Sequence, residues 1–309
     1  MIGAQIYRGQ GLGNQLWTYA VIRSIANKNG YRYAIVGQKY FKANKFLKLD
    51  FGSPVSTIIS EKPVYRIPDG FNNYYAEKIL IHPKYKCDIS PLDENLLNIS
   101  DGTFIDGSMQ SENYILRLKN EISEWFKVKG NVFDGCTINF RGIEYKGLKD
   151  VLLPLEYYKN AMSYLIEKYG LMEFRVVTDD YDLAKQFFPD LPIIGRNKYK
   201  TLVDSKKKLL KNRLSIGPNQ MDIARDFSLV QNSKYIIIPN SSFSWWAAWT
   251  NEVAKEVIAP KYWGRHNISD GFWSTGDILT QGWTWLDRYG NFMTSKECKV
   301  EKESKDKLI

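Results

Sequence analysis

Lys234-Tyr235-Ile236-Ile237-Ile238-Pro239-Asn240-Ser241-Ser242-Phe243-Ser244-Trp245-Trp246-Ala247-Ala248-Trp249 is the stretch from which the fold can be read. Its first six residues, with three isoleucines and a tyrosine in succession, read as a strand buried on both faces. The pattern then turns amphipathic, so Ser241 and Ser242 fall where a strand ends and a helix begins. Such a junction offers amide N–H groups without intrahelical partners and the positive end of a helix dipole, a natural seat for phosphate. Two hydroxyls at the same place add donors. The same residues also admit a purely structural reading, with Asn240 or Ser241 as an N-cap and the tryptophans as core.

Working outward, the pattern repeats. Thr137 to Arg141 reads as strand, Pro154 to Tyr169 as helix and Glu173 to Thr178 as strand. Tyr181 to Phe188 follows as helix, Leu191 to Ile194 as strand, and Asp222 to Gln231 as the helix feeding the opening stretch. Val257 to Ala259 adds a last short strand. The N-terminus shows the same βαβ order: strand Ala4 to Tyr7, a glycine-rich turn, helix Leu16 to Lys28, a stop at Gly30 and strand Tyr33 to Val36. Alternating strands and helices predict a parallel sheet. Two such regions, with a break near residue 130, predict an α/β chain of two Rossmann-like domains facing across a cleft. The expected division is 1–130, 131–290 and a frayed polar tail over 291–309. Between Lys39 and Asn131 periodicity is weak, and Glu112 to Lys127 is the clearest helix there.

Composition narrows the function classes. The chain has 309 residues, 44% hydrophobic and 14% aromatic, an ordinary globular balance with an aromatic excess that suits stacking on sugar rings. No apolar run approaches the roughly 20 residues of a membrane span, and the N-terminus lacks a signal-peptide pattern. The three cysteines, Cys87, Cys136 and Cys298, are widely spaced. With only two histidines, His82 and His266, a zinc site or a histidine-centred triad is not expected. These features together point to a cytoplasmic location. A formal charge of +9 calls for an anionic partner. The run Lys206 to Arg213 is a solvated face or a contact to an acidic inner-membrane surface. No nucleic-acid motif is present.

Three further segments carry chemistry. Gly9-Gln10-Gly11-Leu12-Gly13-Asn14-Gln15 is a G-x-G-x-G loop, which by itself indicates a tight turn that a ligand can approach closely. In Asn139-Phe140-Arg141-Gly142-Ile143-Glu144, an arginine stands at a strand end, suited to bidentate phosphate recognition or to an ion pair with Glu144. Thr178-Asp179-Asp180 puts two carboxylates at the ligand edge of a parallel strand, where the alternative role for one of them is to cap the next helix. Asp226 lies on the helix before the opening strand, either a surface carboxylate or a ligand group.

The string N-S-S-F-S-W-W-x-A-W resembles the signature of the α-1,2-fucosyltransferases, glycosyltransferase family 11, and G-L-G-N-Q resembles that family's opening. Asn139 to Glu144 occupies the place of the family's H-x-R-R-x-D, with Asn139 for His, Gly142 for the second Arg and Glu144 for Asp. The resemblance spans residues 1–30 and 135–265. It implies a GT-B fold and an inverting, metal-independent transfer without a cofactor, from a nucleotide sugar such as GDP-fucose to an oligosaccharide or glycolipid acceptor. It implies Arg141 and Glu144 as catalytic residues. Gly11, Gly13, Asn14, Gln15, Asn139, Asp179, Asp180, Asp226, Ser241, Ser242 and Phe243 are implied at the substrates. The departures at 139 and 142 leave open a different nucleotide sugar or a non-catalytic, sugar-binding relative.

Overall fold

The computed structural model describes residues 1–55, 67–82, 88–195 and 220–307. Cys87 and the basic run 206–213 lie outside the described residues. The chain divides into two compact units. Unit 1 comprises Met1–Lys127, Gly271–Gln281 and Lys299–Ile309, and unit 2 comprises Val128–Asp270 and Gly282–Cys298.

Unit 1 opens with β1 (Ile2–Gln5), α1 (Leu12–Asn29) and β2 (Tyr33–Val36), followed by β3 (Asn73–Ala76) and the short antiparallel pair β4 (Leu80–Ile81) and β5 (Asp88–Ile89). Next come α2 (Glu94–Leu97), β6 (Thr103–Asp106) and α3 (Lys119–Trp125). Its main sheet has the order β2-β1-β6-β3 and is parallel throughout. The helix begins at Leu12 rather than Leu16, so Gly13, Asn14 and Gln15 form its first turn instead of a loop. It ends where expected: Gly30 adopts φ 69° and returns its N–H to the Ala26 carbonyl, a conformation that costs a residue with a Cβ. The segment 112–127 winds through two 3₁₀ turns before it becomes helical at Lys119.

Unit 2 contains β7 (Phe133–Phe140), α4 (Leu155–Tyr169), β8 (Phe174–Thr178), α5 (Tyr181–Phe187) and β9 (Ile193–Gly195). After the undescribed stretch come α6 (Gln220–Gln231), β10 (Ser233–Ile237), α7 (Ser242–Trp249), β11 (Glu256–Pro260), β12 (Thr284–Leu286) and β13 (Phe292–Thr294). The sheet order is β13-β12-β11-β10-β7-β8-β9, parallel except for the β12–β13 pair. Strand alternation sorts the two faces of β7. Cys136, Ile138 and Phe140 join Tyr157, Tyr158, Ala161 and Leu165 of α4 in one core. Thr137 and Asn139 lie on the opposite face: Thr137 bonds Ser233 at 2.6 Å, and Asn139 bonds Ser244 of α7.

The three tryptophans of the opening stretch are core residues. Trp245 stacks on Trp249 with centroids 5.4 Å apart and meets Trp246 edge-on at 4.9 Å. Burying each contributes on the order of 2–3 kcal/mol. Their density therefore secures α7 beneath the end of β10.

A frayed tail is not what the C-terminus forms. Phe292–Thr294 closes the sheet as β13 and Ser295–Asp306 forms α8. Glu297 caps the helix start by accepting from the Thr294 amide and hydroxyl, at 2.7 and 2.8 Å. Two α/β units, each built on a parallel sheet, make this the mixed architecture expected of the GT-B class.

Candidate functional site

In unit 2 the connections from β7 run to β8 and then β9 on one side, whereas β10 and β11 extend the sheet on the other. The carboxyl ends of β7 and β10, neighbours in register at Ile138 and Ile237, therefore flank a topological switch point. Open parallel sheets bind ligands at such points. Arg141 follows β7 there, Asn240 to Ser242 follow β10, and Asp179 and Asp180 follow β8 next door. The topology thus brings together the segments that the sequence pattern marked separately.

Ser241 occupies the N-cap position of α7 with extended backbone (φ −123°, ψ 126°), but its hydroxyl makes no capping bond. Its N–H turns back to the Pro239 carbonyl at 2.8 Å, and its carbonyl accepts the first helical bond, from Trp245. The amides of Phe243 and Ser244 precede that bond in the first turn and lie at the positive end of the helix. Phe243 packs edge-on against Phe227 of α6 at 5.5 Å.

Arg141 is gripped on both sides. Its Nη1 lies 2.7 Å from Asp179 Oδ2 and its Nη2 2.6 Å from Glu144 Oε2. Burial works against the guanidinium's charge, but Asp179 and Glu144 outweigh it and hold its pKa above the ordinary arginine value. Asp179 also accepts from the Gly142 N–H at 2.7 Å and the Ile143 N–H at 3.3 Å, fixing the turn after β7. Glu144 sits on that same turn, with its side chain 69% exposed.

Asp180 is a helix cap. Its Oδ1 accepts from the Leu183 N–H at 3.2 Å, and its Oδ2 pairs with Lys146 at 3.2 Å. Gly142 is packed against it: a Cβ at position 142 would run into the Asp180 Cβ. The glycine that stands in place of a second arginine is therefore required by its neighbour's packing. Asn139, expected at a ligand, is buried and committed to scaffold bonds, donating to the Val177 carbonyl at 2.9 Å and accepting from Ser244. Asp226 is held by Arg225 of its own helix at 2.8 Å.

Several contributors left no trace in spacing. Tyr145 donates its hydroxyl to the Asn240 carbonyl at 3.0 Å, and Asn240 Nδ2 donates to the Val151 carbonyl at 3.0 Å. These bonds tie the turn after β7 to the junction after β10. Burial pushes the Tyr145 phenol above its usual range, so it remains a donor.

In unit 1 a second switch point lies between β1 and β6, where the glycine loop emerges. Gly11 is the N-cap of α1. Asn14 Oδ1 accepts from Gln110 at 3.1 Å, and Gln110 Oε1 accepts from Thr275 at 3.2 Å. Gln15 is buried as a brace, donating to the Tyr40 carbonyl and accepting from the Lys42 amide, both at 2.9 Å. Asp106, at the end of β6, accepts from Tyr74 at 2.8 Å and Tyr7 at 3.4 Å. Among the described residues no group of three or more His, Cys, Asp or Glu is placed to hold a metal ion. Among them, too, no helix is long and apolar enough to cross a membrane.

No family model matches the chain. It is 27% identical over 304 residues, 90% of this chain and 97% of the other, to an α-1,2-colitosyltransferase of Escherichia coli. It is 25% identical over 195 residues to the O-antigen biosynthesis glycosyltransferase WbnK of Escherichia coli, over 62% of this chain and 54% of that protein. Among solved structures, the NodZ α-1,6-fucosyltransferase soaked with GDP-fucose aligns with 84% of this chain and 94% of its own, at 13% identity and a TM-score of 0.39. A sugar transferase is matched over nearly its whole length and the tryptophan-rich motif is seated at the sheet's switch point; the chain is a glycosyltransferase.

Proposed function

We propose that the chain transfers a sugar, with L-fucose from GDP-fucose the leading assignment, to a hydroxyl of an acceptor glycan with inversion, forming an α-1,2 linkage. The observation that carries this reading is the juxtaposition of Arg141 after β7 with the start of α7 after β10. A guanidinium and a helix N-terminus at adjacent strand ends suit a diphosphate. They would stabilise the charge that builds on the leaving nucleotide, work done elsewhere by a divalent cation. The relatives support the biological setting, one being named for α-1,2-colitosyl transfer and the other for O-antigen biosynthesis. Surface-polysaccharide assembly is the context we assign.

Within this assignment Asp179 is a positioning residue that orients Arg141 and the turn behind it. Ser241, Ser242 and Phe243 contribute the phosphate-facing helix start. The glycine loop with Asn14 belongs to the acceptor side. A second donor, a different nucleotide sugar, is favoured by one feature: Gly142 packs on Asp180 and leaves no room for the second arginine of the family motif. Calorimetry with GDP, UDP, ADP and CMP tests the nucleotide, and turnover with GDP-fucose tests the sugar. Selective GDP binding with fucosyl transfer is expected. Selective binding of another nucleotide, or GDP binding without fucosyl transfer, would assign the second donor, and no nucleotide binding would overturn both.

A further inference from the structure

We infer that Glu144 is an internal stand-in for the donor's diphosphate, occupying Arg141 in the empty enzyme and yielding it when the nucleotide arrives. The inference rests on the nucleotide-sugar reading of this site.

Arg141 carries two carboxylates, and the two are not equivalent. Asp179 reaches it from the neighbouring strand end, is 21% exposed in its side chain and also accepts two backbone N–H groups. Displacing it would undo the turn after β7. Among the described residues Glu144 contacts only Nη2, and its side chain is 69% exposed. Letting it go costs an exposed ion pair and nothing else in the scaffold. An anion approaching Arg141 therefore has one guanidinium edge it can win.

Neutralising the guanidinium twice has a further consequence. With Asp179 and Glu144 both paired to it, the site presents no net positive charge from Arg141 to a passing anion. A ligand gains from Arg141 only by replacing Glu144, and a diphosphate, with its higher charge and two acceptor oxygens, replaces a single carboxylate where a monoanion cannot. Glu144 thus sets a threshold of ligand charge. Its position in the 142–146 turn links the exchange to Tyr145, whose hydroxyl holds the carbonyl of Asn240 just ahead of α7.

The test is a double-mutant cycle on binding, read by calorimetry with GDP and with inorganic pyrophosphate. Four proteins are compared: the wild type, Glu144→Gln, Arg141→Ala and the double variant. Removing an exposed competitor worth an exposed ion pair should tighten both ligands by about three- to fivefold in Glu144→Gln. The same change in the Arg141→Ala background should give little, because the competition is gone. Chloride, a monoanion that draws less from Arg141, should gain less than pyrophosphate. Equal tightening in both backgrounds would reduce Glu144 to a long-range charge and overturn the inference. So would unchanged or weaker binding in Glu144→Gln when its thermal stability matches the wild type. A wild type that binds neither GDP nor pyrophosphate would instead overturn the nucleotide-sugar reading itself, and the stand-in role with it.

Discussion

Replacing Arg141 separates binding chemistry from scaffold. In the structure the guanidinium makes two ion pairs, at 2.7 Å to Asp179 and 2.6 Å to Glu144. The Glu144 pair is exposed and contributes at most about 1 kcal/mol. Loss of the Asp179 pair is cushioned, because Oδ1 of that carboxylate keeps the Gly142 and Ile143 amides. Arg141→Ala should therefore cost about 1–2 kcal/mol of stability in all. A loss of that size shifts the melting temperature by a few degrees and leaves the protein folded at 25 °C. Its effect on transfer should be much larger. Removing a preorganised donor to developing charge costs about 3–4 kcal/mol, or roughly a hundred- to a thousandfold in turnover. Arg141→Lys should recover part of this, since an ammonium keeps the charge but cannot span two oxygens. The assay is steady-state release of GDP from the sugar nucleotide in the presence of acceptor, with circular dichroism and thermal melts on the same samples. A folded Arg141→Ala protein with wild-type turnover would remove Arg141 from the chemistry. So would a loss of turnover that simply tracks unfolding.

Gly142→Ala should destabilise the chain by about 1–3 kcal/mol in denaturant unfolding, because the added methyl meets the Asp180 Cβ; Gly142→Arg should weaken GDP binding rather than restore the family's second arginine. Asp180→Ala should cost about 1 kcal/mol as a lost helix cap while GDP affinity by calorimetry stays within about twofold; a large loss of affinity would place Asp180 on the nucleoside. Burial depresses the His266 pKa to about 4, below an unfolded value near 6.5. Between those values the unfolded chain binds the extra proton, so stability should fall as pH drops from about 6.5 to about 4. The span is on the order of 3 kcal/mol. His266→Phe should flatten that part of the stability-against-pH curve.

Legibility in the sequence followed the physics of each segment. Unit 2 read well because its strands are β-branched and buried, and two of its helices have starts that the sequence reveals: Pro154 before α4 and Asp180 before α5. In unit 1, β3 and β6 went unrecognised. Asn73–Ala76 alternates only weakly, and Thr103–Asp106 is too short to stand out from turn residues on either side. The start of α1 was set too late because Gly13 and Asn14 look like loop residues, yet a first helical turn tolerates both. The charged segment Ser295–Asp306 carries little apolar pattern, and its helix is anchored by Cys298, its one buried side chain. At the site, the presence of Arg141 and the helix start after β10 could be read directly. The grip of Asp179 on the turn could not, because an acceptor for two backbone amides follows from topology and not from spacing. Likewise, Asn139 has the look of a ligand group but lies on the inward face of β7, where alternation sends it toward α7.

The central claim is that the diphosphate of the donor binds in unit 2, between Arg141 and the start of α7. A crystal structure of the protein with GDP tests it most directly. Phosphate oxygens are expected within hydrogen-bonding distance of the Arg141 guanidinium and of first-turn amides or hydroxyls among Ser241, Ser242 and Phe243, with Asp179 still bonded to Arg141. A diphosphate held at the Gly9–Gln15 loop of unit 1, or one bound in unit 2 without contact to Arg141, would contradict it.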